Sequence, residues 1–357
     1  MKILRPISIL ACWLIWTASA MAQMSLTPPG VETPPAASKP AAKAKPKPPA
    51  APKPAAAAPK PAATPAPAAT VTPAPAPDDP SVDLVYGAYQ RGQYKTAFDL
   101  ATTRAQAGDI KAMTMLGELY ANQLGIKRDY AKAVDWYKRA ADGGDREAMF
   151  ALAMMRIAGR GGPVDKQDAV RLLASAAKLG EAKAAYNLAL LYLDGQTLPQ
   201  DLKRSAELLR VAADAGNAEA QYALASFYKE GAGVEKDVDK SVRLLQAAAL
   251  ADNVDAEVEY AIALYNGMGT PKNQAAAVAL LRKAARQNSA IAQNRLARVL
   301  LSGQGAPMDK VEALKWHLIA KTAGKGDPEL DDTFAALSPE DRAKAEQAAR
   351  RWLGATK

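Results

Sequence analysis

The chain has 357 residues and a formal net charge of +9. With one His and one Cys, it has almost no material for a metal centre of those ligands or for thiol chemistry. Alanine dominates its apolar half and Phe occurs only four times, a composition that packs helices closely and does not build a thick sheet core.

The first element is "MKILRPISILACWLIWTASAMAQ". A short basic start (Lys2, Arg5) precedes an apolar run from Ile7 to Trp16 and then small residues. That order predicts a secretory signal peptide over residues 1–22, cleaved after Ala22, and hence a periplasmic or secreted protein. An uncleaved N-terminal anchor is the alternative, although the run is short for a membrane span. Cleavage removes Cys12, and no apolar run long enough to span a membrane remains in the mature chain.

Residues 23–80 are rich in Pro, Ala and Lys. Proline recurs every few residues and interrupts any alanine helix, so the segment reads as a disordered, extended linker. Its six lysines could touch an anionic envelope polymer weakly. Much of the basic charge lies here and in the leader, leaving about +4 for residues 81–357 with interleaved signs. Nucleic acid is therefore a poor fit as a partner.

Residues 81–108 have the pattern of a capping helical hairpin, "YGAYQRGQYKTAFDLATTRAQAG" being its clearest part. From Asp109 the chain falls into rows of 36 without a gap: 109–144, 145–180, 181–216, 217–252, 253–288 and 289–324. The fourth position of every row is alanine, from Ala112 to Ala292. Another column is alanine throughout, from Ala140 to Ala320. A third column reads Asp129, Asp165, Asp201, Asp237, Asn273, Asp309. Self-similarity at this period predicts an all-α solenoid of helical hairpins. In the fourth row, Ala220, Leu224 and Phe227 mark a helix A. Asp237 then caps a helix B whose buried face carries Ser241, Leu245 and Ala248.

Glycine punctuates the rows. Gly108, Gly144, Gly180, Gly216 and Gly324 suit the left-handed turn that ends a helix, and Asp252 and Asn288 take that place twice. The pair Gly231 and Gly233 recurs between helices A and B. A glycine-rich turn that opens a helix can cradle phosphate. The column before the capping acid, however, reads Arg128, Val164, Gln200, Lys236, Lys272, Met308 and keeps no cation, so these are turns.

The rows resemble the Sel-one-like repeat, a relative of the tetratricopeptide repeat. The first row matches at Ala112, Leu116-Gly117, Tyr120, Gly125, Asp129, Ala133, Trp136 and Ala140-Ala141. The fourth matches at Ala220, Leu224, Tyr228, Gly231, Gly233-Val234, Asp237 and Ala248-Ala249. The resemblance implies a right-handed solenoid that binds other proteins, a non-enzymatic scaffold or adaptor without a cofactor. Behind the repeats, residues 325–357 read as C-terminal capping helices, with Ser338-Pro339-Glu340 starting the last one.

By analogy with tetratricopeptide arrays, helix A lines the binding surface. The candidate partner-binding residues there are Tyr186, Tyr222, Ser226, Lys229, Glu230, Asn266 and Arg298. Aromatic stripes at helical spacing also serve as packing. Glu259 and Arg295 occupy one column of successive rows, and their proximity predicts an ion pair across the repeat junction. Glu257 and Glu259 read as a polar rim on helix A rather than as paired catalytic carboxylates. His317 shares a column with Tyr137, Leu173, Leu209, Leu245 and Leu281, which places it in or near the core. The competing functional reading is a peptidoglycan-associated envelope enzyme or its dedicated binding subunit.

Overall fold

The computed structural model describes residues 83–355. The signal peptide and linker expected for residues 1–80 lie outside the described residues. Among these there are 16 helices and no strand. Helices α1 (Leu84–Gln90) and α2 (Tyr94–Gln106) come first. Six hairpins follow: α3 (Ile110–Asn122) with α4 (Tyr130–Asp142), α5 (Arg146–Ala158) with α6 (Lys166–Lys178), α7 (Ala182–Asp194) with α8 (Leu202–Asp214), α9 (Ala218–Glu230) with α10 (Val238–Leu250), α11 (Val254–Asn266) with α12 (Gln274–Arg286), and α13 (Ala290–Ser302) with α14 (Lys310–Thr322). Helices α15 (Pro328–Ala335) and α16 (Pro339–Ala355) close the array.

Each odd-numbered helix of the repeats, helix A, packs on its own helix B and on helix B of the hairpin before it. The hairpins therefore stack in series as an all-α solenoid. The final helix, α16, packs on α14.

Capping residues set the helix boundaries. Asp129, Asp165, Asp201, Asp237, Asn273 and Asp309 each accept a bond from a backbone N–H in the first turn of helix B. The residues that open the rows do the same for helix A: Asp109, Asp145, Glu181, Asn217, Asn253 and Ser289. Both starts of every hairpin thus satisfy orphan N–H groups with a side chain. At the row boundaries Asp252 (φ 61°) and Asn288 (φ 64°) adopt the left-handed conformation that glycine takes in the other rows. Short polar side chains tolerate it better than most.

Small residues fix how closely the two helices of a hairpin approach. The ninth position of the rows is Gly117, Ala153, Ala189, Ala225, Ala261 and Ala297, and the five alanines are buried. Opposite them on helix B stand Tyr137, Leu173, Leu209, Leu245, Leu281 and His317. The largest side chain faces the smallest residue: a β-carbon on Gly117 would lie 2.6 Å from the Tyr137 ring. Tyr137 and Gly117 therefore fill together the volume that leucine and alanine fill in the next hairpin. The Tyr137 hydroxyl donates to Glu118 at 3.1 Å. Burial, and then the Glu118 charge, push its ionisation well above the ordinary phenol range.

The second glycine of the A-to-B turn has a packing role as well as a backbone one. Gly233 has φ 66°, and a β-carbon there would lie 2.3 Å from the Leu202 carbonyl oxygen at the start of the preceding helix B. The turn rests directly on the neighbouring hairpin, so the side chain has no room and the conformation suits none.

Candidate interaction surface

Helix A brings its sixth and tenth row positions onto one face, because they are four residues apart. In the second to fifth hairpins that face carries Phe150 with Met154, Tyr186 with Leu190, Tyr222 with Ser226, and Val258 with Ile262. All but Val258, which is buried, are half-buried. Tyr186 packs on the core cluster around Leu188 and Tyr222 on the cluster around Leu245. Both tyrosines thus combine packing with partial exposure. Ser226 turns its hydroxyl back onto the Tyr222 carbonyl at 3.3 Å. Glu230 and Asn266 are exposed at the ends of α9 and α11.

The cations of this surface are engaged inside the protein. Lys229 on α9 pairs with Glu259 on α11 at 3.1 Å. Arg298 on α13 binds Asp327 at 2.6 Å and Glu329 at 3.2 Å, and Asn294 donates to Asp327 at 3.3 Å. Asp327 is the N-cap of α15, so Arg298 clamps the C-terminal cap onto the last repeat. Burial opposes ionisation of Asp327, but the Asn294 bond and the Arg298 charge outweigh it and hold the carboxyl below its usual range.

Glu259 makes an ion pair with Lys229, and it also acts on Arg295 as a favourable charge. Burial and the Arg298 charge lower the Arg295 pKa, against which Glu259 works. Ion pairs between successive repeats do not keep one spacing: Lys111 and Glu147 hold matching row positions 36 residues apart and approach to 3.8 Å. Lys229–Glu259 and Arg282–Glu312 are each 30 residues apart. Helix A of one repeat lies against the previous helix B.

Glu257 corrects the expectation of a polar rim. Its side chain is 0% exposed and forms an ion pair with Lys283 at 2.7 Å. Gln287 donates to both carboxylate oxygens at 3.3 Å. The fifth row position is the signal that sequence reasoning missed. It reads Met113, Met149, Ala185 in the first three rows and Gln221, Glu257, Gln293 in the last three. Gln221 and Gln293 both donate to the carbonyl eight residues back, Ala213 and Ala285. The column thus moves from apolar to hydrogen-bonded packing halfway along the solenoid.

His317 is fully buried, with Nε2 2.8 Å from the Asp331 carboxylate, which Lys321 also contacts at 2.9 Å. Its ring lies beside Phe334, with centroids 5.6 Å apart. The residue ties α14 to α15. Nearby, Lys315 stands over the rings of Trp316 and Trp352, at 4.1 Å and 5.2 Å, and so joins α16 to the last repeat. Among the described residues, no group of three or more His, Cys, Asp or Glu side chains could hold a metal. No described helix is long and apolar enough to cross a membrane.

Stacked hairpins of uniform length with a repeated, half-exposed helix-A face define a helical-repeat solenoid. The Sel1 repeat profile matches residues 110–145, 146–181, 182–217, 218–253, 254–289 and 290–325, and the chain belongs to that family. Sel1 repeat proteins are generally protein-interaction scaffolds. A Sel1 repeat protein from Oxalobacter formigenes superposes with a TM-score of 0.61 at 26% identity, over 67% of this chain and 98% of that one. The protein c5321, a protective antigen with the same repeat fold present in uropathogenic Escherichia coli strains, has a TM-score of 0.52 at 25% identity, over 72% of this chain and 64% of that one. No match was found among curated proteins.

Proposed function

We propose that this protein is a non-enzymatic adaptor of the bacterial cell envelope that holds a protein partner on its helix-A face. The observation that carries the reading is the face built by Phe150, Met154, Tyr186, Leu190, Tyr222 and Ile262. Four successive hairpins present half-buried aromatic and aliphatic side chains at equivalent positions. Tyr and Phe on a rigid scaffold give large contact area at low entropic cost. Glu230 and Asn266 stand at the helix ends and supply a polar rim. The location rests on the signal-like order of residues 1–22. The Pro-rich segment that follows suits a spacer, with contact to an anionic envelope polymer as a secondary role.

The test is photo-crosslinking from position 222 in cells, followed by identification of the captured protein and fractionation of the envelope. A single partner captured from position 222 and not from Asp239 on helix B supports the reading. Capture from Asp239 alone would move the site to the other face, and recovery of the chain in the cytoplasm would refute the location.

A further inference from the structure

Helix B turns a different face to water. Row positions 27, 30, 31, 34 and 35 follow the spacing that puts residues on one side of a helix. On that side stand Lys178 of α6, Arg210 of α8, Arg243 of α10 and Arg286 of α12, all exposed. Among the described residues none of the four has an ion-pair partner. Between them are three exposed aliphatic side chains, Leu179 (49%), Val211 (47%) and Leu250 (80%). Glu207 and Asp214 are the acids on this side of the four helices, and Glu207 is bound to Arg204 at 2.9 Å.

The charge is segregated between the two helix types. The six B helices carry a net +10 and the six A helices a net −1, counting Lys and Arg against Asp and Glu. Adjacent B helices lie within side-chain reach of each other, as Arg282 of α12 and Glu312 of α14 demonstrate. The cations of successive repeats therefore act on the same region of solvent.

We propose that the helix-B face of repeats two to five docks on an anionic lipid bilayer. Unpaired cations supply the attraction to acidic headgroups, which sums over residues near the surface. The exposed aliphatics decide between a bilayer and a soluble anionic polymer. A polyanion offers nothing to Leu250, whereas the boundary between headgroups and acyl chains takes up an aliphatic side chain flanked by basic ones. Single exposed aliphatics are ordinary on a protein surface. Three on successive B helices, with Leu179 and Val211 next in sequence to Lys178 and Arg210 and Leu250 two turns along α10 from Arg243, make an interfacial pattern. This docking uses the side of the hairpin remote from the helix-A face and is independent of the protein-partner reading.

The experiment is co-sedimentation of the full chain with vesicles of phosphatidylglycerol and phosphatidylethanolamine, or of phosphatidylcholine alone, across a salt series. Wild type binds the anionic vesicles, and binding falls as salt rises. The variant Lys178→Glu/Arg210→Glu/Arg243→Glu/Arg286→Glu binds at least about tenfold more weakly. The variant Leu179→Ser/Val211→Ser/Leu250→Ser keeps low-salt binding and loses the part that survives high salt. Reversal of Lys43, Lys45, Lys47 and Lys53 in the Pro-rich segment leaves affinity within about twofold, since the proposal assigns the contact to helix B. Equal binding to both vesicle types, no binding, or a helix-B variant that binds like wild type overturns the proposal. So does loss of binding in the Pro-rich segment variant.

Discussion

Glu257 and Lys283 form an ion pair of unequal partners. The Glu257 side chain is wholly sealed from water while that of Lys283 is 44% exposed, and 2.7 Å separates the charged groups. Lys283 also reaches Asp252 at 2.6 Å. Its pKa is raised, first by the Asp252 bond and then by the Glu257 bond. One lysine thus joins a row-boundary acid to a buried acid on the following helix A.

Removing the exposed partner harms the buried one. Lys283→Met leaves Glu257 uncompensated apart from Gln287 and costs about 3 kcal/mol. The double variant Glu257→Gln/Lys283→Met recovers most of that loss, because the sealed charge is gone. Urea unfolding of the single and double variants measures the coupling. A double variant no more stable than Lys283→Met would contradict a cost that arises from the stranded charge.

The size exchange in the first repeat gives a second prediction. Gly117→Ala raises helix propensity by about 1 kcal/mol yet meets the Tyr137 ring, so overpacking of about 1–3 kcal/mol wins and the protein is destabilised. Adding Tyr137→Leu restores the pairing found in the second to fifth repeats and recovers stability, less the lost bond to Glu118. Thermal unfolding of the three variants decides; additive losses would show that the two positions do not share a volume.

Two glycines with similar backbone angles respond differently to a methyl group. Gly216 (φ 83°) has nothing within 4 Å of a new β-carbon, so Gly216→Ala carries only the left-handed cost of about 1 kcal/mol. Gly233→Ala adds collision with the Leu202 carbonyl and costs about 2–4 kcal/mol. Equal melting temperatures for the two variants would mean that the turn can lift off the preceding hairpin.

Acid stability follows from Asp145 and Asp327, both nearly buried. Burial opposes their ionisation. The Lys111 bond at Asp145, and the Asn294 bond with the Arg298 charge at Asp327, lower both values nonetheless. A carboxyl whose folded pKa lies below the unfolded value of about 3.9 stabilises the protein above that pH. The contribution disappears as pH falls through the folded value. Melting temperature is expected to drop below about pH 4. Arg298→Gln lowers it at pH 7 and converges with wild type in stronger acid, once Asp327 is protonated. A constant offset at every pH would remove Asp327 from the explanation.

The Lys229–Glu259 pair is more modest. Both side chains are over a third exposed, so a double-mutant cycle gives about 0.5 kcal/mol, shrinking at high salt. Extending the cycle to Arg295 measures how far Glu259 serves two cations at once. Zero coupling to Arg295 would confine Glu259 to Lys229.

The repeats, their number and the alternation of helices were legible in single residues. Asp237 at the start of helix B marks a cap through its own side-chain oxygen, and Asp252 and Asn288 mark left-handed turns through their tolerance of that conformation. These are local effects, settled within a few residues of chain. The buried position of Glu257 was less legible, since a glutamate in a helix is commonly a surface residue, and the shift of its column from Met and Ala to Gln was the available sign.

The 36-residue period by itself determined the class of fold. Every row repeats one amphipathic hairpin that cannot bury its apolar face alone and must stack on its neighbours. Only the tertiary structure decided who touches whom across a junction. Equivalent columns suggested Glu259 with Arg295. The structure adds Lys229, 30 residues back in the chain, as an ion-pair partner of Glu259. It likewise assigned Arg298 to the C-terminal cap rather than to open surface. Periodicity specifies direction around a helix axis. The offset between neighbouring axes comes from side-chain volumes at the contact, such as Gly117 against Tyr137, and is set when the hairpins close on one another.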